Sequence, residues 1–195
     1  MPNWCNNTLE ISGEKSELLR FKKLVKTKER VLSFDKILPM PPSLNITSGT
    51  QTDNGMAIIL SRAGDHKMID EKMAYSVNAK YKTREEFIAV LIKDKRANLE
   101  EGQIALDNLK AYGVKDWYDW HIQHWDTKWD TAEPKLSCQG KDYICYTFDT
   151  AWSPPSSVIK AMSDQFPKLK FNLEYTLEGE NGNFSEEYGG EEDAS

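Results

Sequence analysis

Only three cysteines occur in the 195 residues, Cys5, Cys138 and Cys145, an odd number with no C-x-x-C spacing. That scarcity argues against a disulfide framework and against a thiolate zinc site, so reduced thiols are expected. Long apolar runs are missing too. The longest, residues 87–92, and the next, residues 56–60, fall far short of the roughly 18 residues a spanning helix requires, and no charged-then-apolar leader stands at the start. A cytoplasmic protein without a membrane segment is the expectation, and the N-x-S/T matches at Asn6, Asn45 and Asn183 then carry no glycan. Positive charge is in deficit. Lys and Arg number 25 against 31 Asp and Glu, and the net charge of −6 opposes non-specific binding to a phosphate backbone. Much of the acidic excess is local, since Glu178, Glu180, Glu186, Glu187, Glu191, Glu192 and Asp193 follow Tyr175 with no lysine or arginine among them.

Tryptophan, by contrast, is concentrated. Residues 117–130, WYDWHIQHWDTKWD, hold four of the six tryptophans and two of the three histidines. Trp117, Trp120, Trp125 and Trp129 are spaced by three, five and four, and no single helical stripe accounts for them. A strand or irregular segment is expected here, ending in a turn at Asp126-Thr127, where both side chains bond the local backbone. Residues 143–155, YICYTFDTAWSPP, run a strand pattern straight into a fifth tryptophan and a proline pair.

The length fits one domain with an insertion. Residues 1–12 alternate, with Cys5, Asn7, Leu9 and Ile11 on one face and Trp4, Asn6, Thr8 and Glu10 on the other, which predicts a strand. Residues 14–27 repeat Leu18, Phe21, Leu24 and Val25 at helical spacing, leaving a lysine-rich side for water. Residues 31–38 alternate again and meet Pro39, Pro41 and Pro42, predicting a second strand. Residues 43–55 read as a loop, and residues 56–112 as a mainly helical insertion with a capping box at Thr83 and Glu86 and a stop at Gly113. Residues 143–149 are the third strand. A helix carrying Val158, Ile159, Met162 and Phe166 follows, then a last strand through Leu169, Phe171, Leu173, Tyr175 and Leu177. The order predicts an α+β fold of the split βαβ type, a four-stranded antiparallel sheet with two helices on one face and the insertion between the second and third strands. Residues 179–195 read as an acidic tail outside the core, save for Phe184 and Tyr188.

Three segments, MPNWCNNTLEISG at the start, YGVKDWYDWHIQHWDTKWD from Tyr112 and FDTAWSPPSSV from Phe148, resemble an uncharacterised group encoded by bacteriophages and conjugative plasmids, the YubB-like proteins with a ferredoxin-like domain. The resemblance implies a ferredoxin-like fold with a variable insertion, a mobile-element origin in a bacterial host, and no assigned activity. The family's compact run of tyrosine, acid, glycine and phenylalanine is spread here over Tyr175, Glu178, Gly179 and Phe184.

Several side chains are candidates for chemistry. His121 and His124 are spaced for a helical metal pair, with Cys138, Cys145 or an aspartate to complete it. Neither a third ligand at a defined offset nor a general-base glutamate accompanies them, so no metal or cofactor is assigned. Trp125, Lys128, Trp129, Asp130, Asp149, Thr150 and Trp152 are expected to come together as a ligand-binding site. Asp126, Lys128, Asp130 and Asp149 also read as a structural network in which Lys128 neutralises buried carboxylates. No catalytic residue is assigned. The leading expectation is an accessory protein that binds a host protein or small ligand, acting against a defence system. The alternatives are an enzyme acting on a nucleotide-like ligand at the same cluster, and a nucleic-acid-binding module using the open sheet face at Asn6, Thr8, Cys145 and Thr147. That face lacks stacking rings, and together with the acidic balance this weighs against nucleic acid.

Overall fold

A computed structural model describes residues 3–76 and 81–190. In chain order the elements are β1 (Trp4–Gly13), α1 (Lys15–Val25), α2 (Thr50–Arg62), α3 (Lys67–Ala74), α4 (Arg84–Lys93), α5 (Leu99–Tyr112), α6 (Trp117–Trp125), β2 (Ala132–Gln139), β3 (Tyr143–Ala151), α7 (Ser156–Gln165), β4 (Leu169–Leu177) and β5 (Phe184–Gly189). Short 3-10 turns occupy Phe34–Lys36 and Pro42–Leu44. The chain divides into two compact units, one of Met1–Met40 with His121–Ser195 and one of Pro41–Trp120. Glu191, Glu192 and Asp193 of the acidic tail lie outside the described residues. Among those described, no helix is long and apolar enough to cross a membrane.

The first unit is built on one antiparallel sheet in the order β2-β3-β1-β4-β5. The period of two in β1 buries Cys5, Asn7, Leu9 and Ile11 and exposes Asn6, Thr8 and Glu10. In register, Leu9 stands between Tyr146 of β3 and Leu173 of β4. Leu18, Phe21 and Val25 of α1 and Val158, Ile159 and Met162 of α7 share a core with that side of the sheet, so both helices cover one face. Phe21 joins the layers, meeting Phe166 at 5.2 Å, Phe171 at 5.6 Å and Tyr146 at 6.5 Å, all edge to face. Burying each such side chain contributes roughly 1.5–3 kcal/mol. The architecture is α+β and ferredoxin-like, as the order of elements predicts.

Residues 31–38 do not form the expected second strand. Leu32, Ser33 and Phe34 are buried in succession, and the Phe34 amide donates to Asp130 Oδ1 at 2.8 Å rather than to a sheet ladder. The second strand is β2, at one edge, where the sequence signal is faint because Pro134 interrupts it and Leu136 is its one large apolar residue. The helical stretch therefore lies between the first and second strands, not between the second and third. Cys138 of β2 stands opposite Cys145 of β3 with Cα atoms 4.9 Å apart, and the two are joined as a disulfide, which corrects the expectation of reduced thiols. Cys5 stays free and buried. The stretch from residue 179 read as a tail supplies a strand instead, since β5 pairs along β4, while Tyr188 packs against the core as the exception made for it foresees.

The second unit gathers Ala57, Ile58, Ile69, Phe87 and Leu91 from α2, α3 and α4 into its own core. The capping box stands, with Thr83 Oγ1 accepting the Glu86 amide at 3.2 Å, and Gly113 ends α5 at φ +76°. Residues 50–55, expected in a loop, are the first turns of α2, and Gly55 lies against Gly102 and Asn98 at the start of α5. Its missing side chain is what lets the two helices meet.

Candidate binding site at the tryptophan corner and the open sheet face

The tryptophan run begins as a helix, not a strand. Asp116, buried, accepts the amides of Tyr118 at 3.0 Å and Asp119 at 3.2 Å, which caps α6. Helical spacing then turns Trp125 inward. It is 2% exposed, stacks on His121 at 3.9 Å, meets Phe34 edge-on at 5.9 Å and donates Nε1–H to the Leu38 carbonyl at 3.1 Å. Trp125 is thus a core residue of the corner and not a wall of the site. His121 Nδ1 lies 2.8 Å from the Lys128 carbonyl oxygen, which can only accept, so that nitrogen carries the proton. Burial pushes the His121 pKa down, against the pull of that carbonyl and of Asp130 and Asp35.

The expected turn follows at once. Asp126 adopts φ +60°, its carboxylate accepts the Ser157 amide at 2.6 Å in the first turn of α7, and its carbonyl accepts the Ser153 hydroxyl. Thr127 is buried and bonds both backbone groups of Ala151. Asp130 is fully engaged. Its Oδ1 accepts the amides of Phe34 and Thr131 at 2.8 and 2.7 Å, and its Oδ2 accepts the Ser33 hydroxyl at 2.6 Å and pairs with Arg30 at 3.2 Å. With two donors on each oxygen, Asp130 ties the segment after α1 to the corner, and no lone pair is left over for a ligand.

The second motif sits beside the first, as expected, because Ala132 is opposite Asp149 and Thr127 grips Ala151. Asp149 Oδ1 accepts from the Asn6 side-chain Nδ2 at 2.7 Å on the open face. Thr150 faces the other way, buried, accepting from Asn7 at 3.0 Å and donating to the Ser153 carbonyl at 2.7 Å. Trp152 adopts φ +79°, a costly conformation for a bulky residue, while its indole remains 58% exposed. Its amide is held by the Asn3 carbonyl at 3.0 Å. Trp129 is 39% exposed, with Lys128 Nζ 4.6 Å from its ring centre and Trp4 6.4 Å away.

Of the seven candidate residues, Trp129, Trp152, Lys128 and Asp149 have the accessibility or open-face position a ligand needs, whereas Trp125, Asp130 and Thr150 hold the corner together. A concavity of about 280 Å³ opens on the uncovered sheet face, lined by Asn6, Thr8, Thr147, Asp149, Glu174 and Thr176 among others. Asn6, Thr8 and Thr147 are on that face as β1 and β3 alternation predicts. Trp4, two residues from Asn6 and named with it in the alternation of β1, lies on the same side, which corrects the expectation that this face lacks rings; Glu174 on β4 joins it without having been singled out. Among the described residues no group of three His, Cys, Asp or Glu side chains is arranged for a metal ion.

Residues 124–192 match the family model of the ferredoxin-like domain in Api92-like protein, a span holding the tryptophan corner from His124 onward and all of β2, β3, α7, β4 and β5. Among solved structures, the chain is similar to a protein api92 from Yersinia pseudotuberculosis, at 11% identity and a TM-score of 0.49, covering 97% of this chain and 95% of that one. No curated protein matches the chain.

Proposed function

We propose that this chain is a non-enzymatic accessory protein of a phage or plasmid that binds a host protein or small ligand in the bacterial cytoplasm to blunt a defence system. The observation that carries the reading is Trp152. A large apolar ring is kept in solvent on a positive-φ backbone, and the turn behind it is fastened by Asn3, Thr127, Thr150 and Ser153. A fold gains no stability from that arrangement, whereas a partner gains a rigid indole anchor, with Trp129 as a second. Asp130, with both oxygens engaged, is withdrawn from the enzymatic alternative, which is left with Lys128 and Asp149. Capture from host lysate, run beside a thermal-shift panel of nucleotides and divalent metals, tests the reading. A stoichiometric protein partner supports it, and metal-dependent turnover of a nucleotide would reject it.

A further inference from the structure

Along β1 the open face of the sheet is flanked by carboxylates at both ends. At one end lies the concavity flanked by Asp149 on β3, opposite Asn6, and Glu174 on β4, opposite Thr8. At the other end a second concavity, of about 590 Å³, is lined by Glu10, Glu14 and Asp142. Neither lining includes a lysine or arginine. Glu10, Glu14, Asp142 and Glu174 are exposed and Asp149 is half-buried. Lys170, opposite Ser12, and Lys135, opposite Thr147, lie on the same face and are already paired, with Glu187 at 2.9 Å and Glu133 at 3.8 Å. From Asn6 to Glu14 an extended chain would run about 27 Å at roughly 3.3–3.4 Å per residue. Near the Asn6 end stands the Trp4–Trp129 pair, and the Trp129 ring already carries the Lys128 ammonium at 4.6 Å, so its electron-rich face accepts a cation.

We propose that this face, with a concavity at each end, takes an extended segment of a partner protein bearing arginine or lysine at intervals. The inference rests on the binding reading above and names the occupant. Charge complementarity selects it: a phosphate backbone would be repelled by the same five carboxylates, and a neutral strand would leave them without counter-charge. Exposed carboxylates attract through water, so the association is fast and salt-sensitive.

The test is calorimetric titration with three probes: an acetylated, amidated octapeptide alternating arginine and serine, its glutamate counterpart, and a single-stranded oligodeoxythymidine of the same length. The arginine peptide is expected to bind, and to lose about tenfold or more in affinity between about 50 and about 300 mM salt. The double variant Glu10→Lys, Glu174→Lys should lose at least as much. Both positions are exposed on strands, and far-UV circular dichroism checks that the variant folds; Glu174→Gln, which keeps the shape, should still weaken binding. Equal binding of the glutamate peptide, preference for the oligodeoxythymidine, or unchanged affinity in the double variant would overturn the proposal. A captured host protein that lacks any basic segment, yet is lost from variants of Trp129 and Trp152, would overturn the occupant while sparing the binding function.

Discussion

Thr127 Oγ1 donates to the Ala151 carbonyl at 3.1 Å and accepts the Ala151 amide at 3.0 Å, so one buried hydroxyl closes the end of β3. This contact joins the tryptophan run to the strand that presents Trp152. Thr127→Val keeps the shape and leaves two buried backbone groups unpaired, which should cost about 2–4 kcal/mol in urea unfolding. A change below about 0.5 kcal/mol would mean the contact is incidental.

Tyr146 contributes differently. It is fully buried, and its hydroxyl has no hydrogen-bond partner among the described residues. Burial pushes its pKa up from 10.0 to about 12. Burial likewise raises Tyr188 to about 12, helped by the neighbouring Glu186 carboxylate. A folded pKa above the unfolded one means this stability is complete below pH 10 and is lost as pH rises toward 12. Tyr146→Phe should therefore be neutral or stabilising at pH 7, within about 1 kcal/mol, and should lessen the alkaline loss between pH 10 and 12. Strong destabilisation at neutral pH would reveal a partner for the hydroxyl.

Much of the fold is legible in the sequence because its strongest periods coincide with its buried faces. Leu9 and Ile11, Tyr146 and Phe148, and Leu169, Phe171 and Leu173 alternate because one side of β1, β3 and β4 meets α1 and α7. The edges are less legible. β2 and β5 bury little, so Pro134 and the glutamates of β5 dominate their appearance, and without β2 the pairing of Cys138 with Cys145 is invisible. Residues 31–38 mimic a strand because Leu32 and Phe34 are both buried, while their backbone is satisfied outside any ladder, the Leu32 carbonyl by Thr131, the Ser33 amide by the Val25 carbonyl and the Phe34 amide by Asp130. The adjacency of the two motifs follows from their turns, but the inward rotation of Trp125 follows from helix α6, which irregular tryptophan spacing conceals.

The helix crossing in the second unit depends on glycine. A Cβ on Gly55 would sit 1.9 Å from the Asn98 carbonyl oxygen, and one on Gly102 would sit 2.6 Å from the Gly55 carbonyl carbon. In an open helix, alanine would stabilise by about 1 kcal/mol. Here Gly55→Ala or Gly102→Ala must push α2 and α5 apart, and a net loss of about 1–3 kcal/mol is expected from thermal or urea unfolding. A stabilised variant would show that the helices separate freely.

The disulfide closes a short loop, with seven residues of sequence separation between its cysteines. The unfolded chain it constrains should make it worth about 2 kcal/mol, so reduction should lower the melting temperature. Alkylation of denatured but unreduced protein should modify Cys5 alone. Labelling of all three cysteines would contradict the bond.

The central claim is that exposed Trp129 and Trp152 form the anchor of a binding surface, and the most direct measurement compares partner capture by wild type with capture by Trp129→Ala, Trp152→Ala. Both indoles are substantially exposed, at 39% and 58%, so the double variant should unfold within about 1 kcal/mol of wild type. It should nevertheless lose capture by about thirtyfold or more, equivalent to about 2 kcal/mol. Undiminished capture by a folded double variant would contradict the account.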